Sequence, residues 1–119
     1  HGYDVAQVFY KAITHRNQAL GESFDADAAT HITLYGFAKH LYEYFGHEAK
    51  IKFLPWSEWC QYEGSPEECD HTYYHIVRSG VFSIEKARTL LEYQPKYTCI
   101  ETIDLAVKSY IDRGLIKVD

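Results

Sequence analysis

The sequence has no methionine, only three prolines and only seven glycines, and each scarcity excludes something. Without Met the 119 residues do not open on a start codon, which is the expectation for a piece of a longer chain. The glycines, at 2, 21, 36, 46, 64, 80 and 114, are never closer than ten positions. Loops that cradle a phosphate need clustered glycines so that backbone N–H groups can approach it, so the P-loop and the dinucleotide fingerprint are both missing. No apolar run reaches the ~20 residues of a membrane span, and no leader pattern precedes a cleavage site.

A basic stripe is lacking as well. The net charge is −5, with acidic and basic side chains interspersed, which argues against nucleic acid as a partner. Cys60, Cys69 and Cys99 form an odd set without a secretory signal, so reduced thiols are expected, a Cys60–Cys69 bridge being the alternative. The expected compartment is the cytoplasm. What is present is 46% hydrophobic, 16% aromatic and 24% charged, the composition of one globular domain.

Periodicity supplies the elements. Val5, Val8, Phe9, Ala12 and Ile13 recur at helical spacing, with Asp4 as the expected cap, Gln7 reaching back to it, and Gly21 as the stop. Glu22–Ala26 reads as a short strand around Phe24. Thr33 opens a second helix carrying Leu34, Phe37, Ala38, Leu41 and Phe45 to Gly46. Lys50–Leu54 alternates in period two up to Pro55 and predicts a second strand, with a helical turn over Trp56–Tyr62. Ser65-Pro66-Glu67-Glu68 launches a helix to about Val77. Ser83 caps another through Leu91, and Thr98 with Glu101 forms a capping box for the last, which ends at Gly114. The expected fold is therefore α/β, or an α+β-like fragment: mostly helical, with two or three short strands.

Several constellations have chemical readings. Tyr35 and Lys39 spell Y-x-x-x-K, in which a Lys one helical turn away lowers the pKa of a Tyr hydroxyl; Ser23 lies twelve positions earlier. The bland alternative is a pair of surface side chains. Cys60, Cys69, His71 and His75 are zinc-ligand types, but the spacing C-x8-C-x-H-x3-H fits no common structural zinc pattern, so the histidines read better as lining a pocket or interface. Phe53, Trp56, Trp59 and Tyr62 would stack a flat ligand or fill a core. Arg78, at a helix end before Ser79-Gly80, would grip a phosphate or carboxylate, or simply cap the helix.

Read in order, these segments resemble the C-terminal part of the extended short-chain dehydrogenase/reductase family, the NAD-dependent epimerases and dehydratases. His1-Gly2-Tyr3-Asp4-Val5-Ala6 resembles its H-V-x-D-V-A turn, Gly21-Glu22-Ser23-Phe24-Asp25 its G-x-x-Y/F-N strand, and Thr33-Leu34 through Phe45-Gly46, then Ile51 to Pro55, the helix and strand of its substrate lobe. Ser83-Ile84-Glu85-Lys86-Ala87-Arg88 through Leu91, then Tyr93-Gln94-Pro95, resembles its S-x-x-K-A-x-x-x-L-G-Y-x-P ending, with Glu92 where the family has Gly. The resemblance implies a single lobe over 1–119 that closes on a nucleotide-sugar or related small molecule, without a complete active site of its own. An NAD- or NADP-binding Rossmann domain would lie upstream. On that view no residue here is catalytic or cofactor-binding, and Arg78, Trp56 and His75 are the candidate substrate-binding residues. The expected partners are the substrate, the chain's own Rossmann domain and a second copy in a homodimer. The competing reading is a stand-alone helical interaction module with no catalytic activity.

Overall fold

The computed structural model describes residues 1–78 and 80–118; Ser79, part of the break expected after Arg78, lies outside the described residues. Seven helices follow one another: α1 (Gly2–Thr14), α2 (Arg16–Ala19), α3 (Leu34–Tyr44), α4 (Trp56–Glu63), α5 (Pro66–Ile76), α6 (Glu85–Leu91) and α7 (Cys99–Asp112). The local signals account for most of them. Thr33 Oγ1 accepts from Gly36 N at 3.0 Å, Ser65 Oγ from Glu68 N at 3.1 Å, and Thr98 and Glu101 close both halves of a capping box. Gly46 and Gly114 follow α3 and α7 in the left-handed conformation that only glycine adopts cheaply.

Among the described residues there is no strand, which corrects the α/β expectation. A helix satisfies its backbone within itself, whereas a strand needs a neighbour to receive its N–H and C=O groups. Neither expected strand has one. Over 50–54 the anticipated one-sided burial also fails: Phe53 is 77% exposed, and Tyr42 Oη donates to the Lys50 carbonyl at 3.4 Å. Over 22–26, Phe24 leans on the core while Glu22 pairs with Lys86 at 2.8 Å.

The core is small and sits where α1, α2 and α6 meet. Val8, Ile84, Ala87, Leu91 and Tyr93 are buried together, with Ala12, Ala19 and Phe24 packed against them. Leu91 and Tyr93 are fully enclosed, each contributing roughly 1.5–3 kcal/mol of transfer free energy. Asp4 stands at the edge of this core, 3% exposed. It is not the helix cap: His1 Nδ1 takes that role, accepting from Tyr3 N at 3.1 Å. The Asp4 carboxylate instead accepts from Lys96 N at 2.7 Å and Tyr97 N at 3.3 Å, and Gln7 Oε1 accepts from Gln94 N at 3.0 Å.

Away from this core the packing is thin. α4 and α5 pack on each other and are joined by a Cys60–Cys69 disulfide with Cα atoms 5.4 Å apart, which replaces the expected pair of reduced thiols. His40 on α3 meets Asp104 on α7 at 2.5 Å. The radius of gyration is 18.2 Å, against about 13.5 Å for a compact domain of this length.

Candidate functional site

Two of the three candidate residues share a cleft. His75 lies in the last turn of α5 and Arg78 just beyond its end. Both line a cleft of about 820 Å³ whose opposite side is the approach to α3, from Asp27 to Leu34, and the first residue of α7, Cys99. Tyr74 and Phe82 give it flat apolar walls. The two sides meet because Tyr93 Oη donates to the Asp27 carbonyl at 2.9 Å and Cys99 Sγ to the Thr30 carbonyl at 2.7 Å, which fastens 27–30 against the ends of α6 and α7.

The cleft is amphipathic, with the Arg78 guanidinium and the Asp27 carboxylate both in its lining. Among the described residues no carboxylate comes within ion-pairing distance of Arg78, so its planar fork of donors is available to an anion. His31 stands 4.0 Å from the Asp27 carboxylate, too far for a hydrogen bond. The Tyr93 hydroxyl is pushed above its ordinary value, chiefly by burial and then by the carboxylates of Asp4 and Asp27, so it stays protonated and keeps donating to the Asp27 carbonyl.

Trp56 is elsewhere. Its ring stacks on Trp59 at 5.0 Å and meets Tyr73 at 5.4 Å, beside a separate hollow of about 480 Å³ next to the disulfide. The four-residue aromatic cluster does not form as one group: Phe53 stacks on Tyr35 at 5.7 Å and Tyr62 is 76% exposed. Lys39 pairs with Glu43 at 3.5 Å, while Tyr35 faces Phe53, so the Y-x-x-x-K residues make separate contacts. Cys60 and Cys69 are bound to each other, which removes both thiolates from the proposed zinc set, and no metal-holding cluster occurs among the described residues.

Asp27, His31 and Cys99 escaped the sequence reading. Asp27 and His31 lie in a segment without periodicity, and Cys99 reads as an ordinary first-turn residue behind a capping box. The usable signal is the i, i+4 acid–imidazole spacing directly ahead of a capped helix.

No family model, no curated protein and no solved structure matches the chain. No helix among the described residues is long and apolar enough to cross a membrane.

Proposed function

We propose that this chain is the substrate-binding lobe of an NAD- or NADP-dependent enzyme of the epimerase/dehydratase kind, and that its Arg78 cleft takes the anionic part of a nucleotide-sugar. The observation that carries this reading is the joint placement of His75 and of Arg78, which has no carboxylate partner among the described residues, in a cleft with aromatic walls. A guanidinium suits a phosphate, and Tyr74 and Phe82 suit the flat or apolar faces of a base or sugar. Three of the segments that carry the family resemblance support it, since Phe24, Ala87, Leu91 and Tyr93 come together in the main core and Asp4 binds the backbone beside it.

The dinucleotide itself does not fit these residues. Under this reading the dinucleotide belongs to other sequence, since the glycines here are too far apart along the chain for the glycine-rich loop that cradles a pyrophosphate. The reading carries a cytoplasmic setting, where cellular reductants would hold Cys60 and Cys69 as a reducible pair.

The exposed surface also favours a lobe over a free-standing domain. It amounts to 9311 Å², against about 6,700 Å² for a compact monomer of this mass. Val5, Phe9 and Ile13 form an exposed apolar stripe along α1 at 39%, 70% and 76%. The same stripe supports a second reading, a helical interaction module or a homodimer, because either would cover it. Calorimetry with uridine diphosphate separates them. Under the lobe reading the diphosphate binds, and Arg78→Ala weakens it by roughly 10- to 150-fold, the loss of a charge-assisted hydrogen bond. Absence of binding, or binding indifferent to Arg78, refutes the substrate role.

A further inference from the structure

A second cleft, with Tyr93 in its lining, is larger and chemically different. It measures about 1030 Å³ and lies between α1 and the end of α6. Gln7, Tyr10 and Lys11 line it from α1, and Arg88, Glu92 and Gln94 from the other side. Each of its two cations has a carboxylate nearby: Lys11 stands 3.8 Å from Glu92, and Arg88 donates to Glu85 at 2.7 Å. An anion entering this cleft meets the Glu92 carboxylate as well as the cations.

Glu92 is the anomaly. It ends α6 at φ +55, and it is the only described non-glycine residue with positive φ. The helix end it makes, with Tyr93 N donating back to the Ala87 carbonyl at 3.2 Å, is one that glycine forms without strain. Glu92 returns little to the fold in exchange. Its carboxylate is 74% exposed, and its partners Lys11 and His15 stand at 3.8 and 3.7 Å, distances at which exposed pairs contribute almost nothing. A strained carboxylate at the rim of a cleft points to a ligand rather than to stability.

We infer that this cleft binds a neutral saccharide. Tyr10, 64% exposed, offers an aromatic face for the C–H side of a pyranose ring. Glu92 accepts from sugar hydroxyls, Arg88 and Lys11 supply donors, and Gln7 and Gln94 carry amides that offer both donors and acceptors. The inference is independent of the Arg78 cleft, with which this one shares no lining residue.

Saturation-transfer NMR on the whole 119-residue chain tests it, with methyl β-D-glucoside, lactose and chitobiose as probes at about 10 mM, enough to fill a site of millimolar Kd. At least one sugar receives saturation. Tyr10→Ala and Glu92→Gly each weaken it about tenfold, while Arg78→Ala leaves it unchanged. Glu92→Gly also raises the thermal midpoint, because the strained helix end is relieved. Tyr10 is exposed enough that its truncation leaves the core intact, so that variant decides even if the other unfolds. The assignment is overturned if none of the three sugars receives saturation, or if both variants retain the signal. It is equally overturned if inorganic phosphate displaces the sugar, or if Glu92→Gly lowers the midpoint.

Discussion

Replacing Asp4 is the most informative perturbation of this fold. Its carboxylate is 3% exposed and holds two backbone N–H groups from ninety residues further along the chain, at 2.7 and 3.3 Å. Each such charge-assisted bond is worth about 1.5–3 kcal/mol, the longer one belonging at the low end. Asp4→Ala strands both donors and also removes a carboxylate from the first turn of α1, where the helix dipole favours it by about 0.3–1 kcal/mol. The sum is roughly 3–6 kcal/mol, comparable to the whole stability of a marginal domain. Asp4→Asn is the sharper variant: one oxygen remains as acceptor, while the new amide group faces a donor, so about 1.5–3 kcal/mol is lost. In urea that moves the unfolding midpoint down by about 1–2 M, followed by helical circular dichroism. If Asp4→Asn unfolds within about 0.5 kcal/mol of the parent, the junction between α1 and 96–97 is not what secures this core, and the reasoning fails.

Three further outcomes are expected. The exposed Glu101 carboxylate accepts from the Thr98 backbone N–H and hydroxyl, which holds it below the usual carboxylate range; its stabilising effect is present above the unfolded value and lost as pH falls through the folded one. Helicity of α7 should therefore fall as acid protonates Glu101 in the parent and be insensitive to that step in Glu101→Gln, while Thr98→Ala costs about 1 kcal/mol at neutral pH. Tyr93, raised above 10.0 by burial, contributes stability that is present below the unfolded value and lost as pH rises through the folded one. Ultraviolet titration should show one late phenol that disappears in Tyr93→Phe, a change that also costs about 1 kcal/mol through the lost Asp27 bond. Thiol counting without reductant should find Cys99 alone and, after reduction, three thiols, with a stability loss of about 2.5 kcal/mol for opening so short a loop. Three thiols before reduction would contradict the pairing.

The helices were legible because their signals are local. Ser65-Pro66, the Thr98–Glu101 box, Thr33 and the glycines after α3 and α7 act within one turn of the residues they organise. The strands were misread because period-two alternation describes only half of a strand: 50–54 alternates in sequence, yet nothing lies beside it to take its hydrogen bonds. Asp4 was misread for a related reason. Its local role as a cap is chemically adequate, and only contacts some ninety residues away show that His1 caps the helix while Asp4 serves the core. In the cleft, Arg78 and His75 were found from side-chain type and helix position. Asp27, His31 and Cys99 were not, because they converge from segments that the sequence does not mark as neighbours.

Three of the segments that carry the family resemblance supply much of the main core. Asp4 of the first segment and Gln7 just beyond it bind the backbone of 94–97. Phe24 of the second packs on the core, and Ala87, Leu91 and Tyr93 of the third form it. None of the three candidate binding residues belongs to those segments. Arg78 and His75 lie on the α5 side, in a part of the chain secured by the disulfide and by contacts between α4 and α5 rather than by the main core. The two halves of the Arg78 cleft therefore stand on different supports: Asp27 is tied to the core through Tyr93, whereas His75 and Arg78 ride on α5. Tyr93→Phe should loosen the first half and reduction of Cys60–Cys69 the second. Their effects on uridine diphosphate affinity should combine without additivity, because both act on the width of one cleft. Strict additivity would mean that the two supports act independently and do not share control of one cleft width.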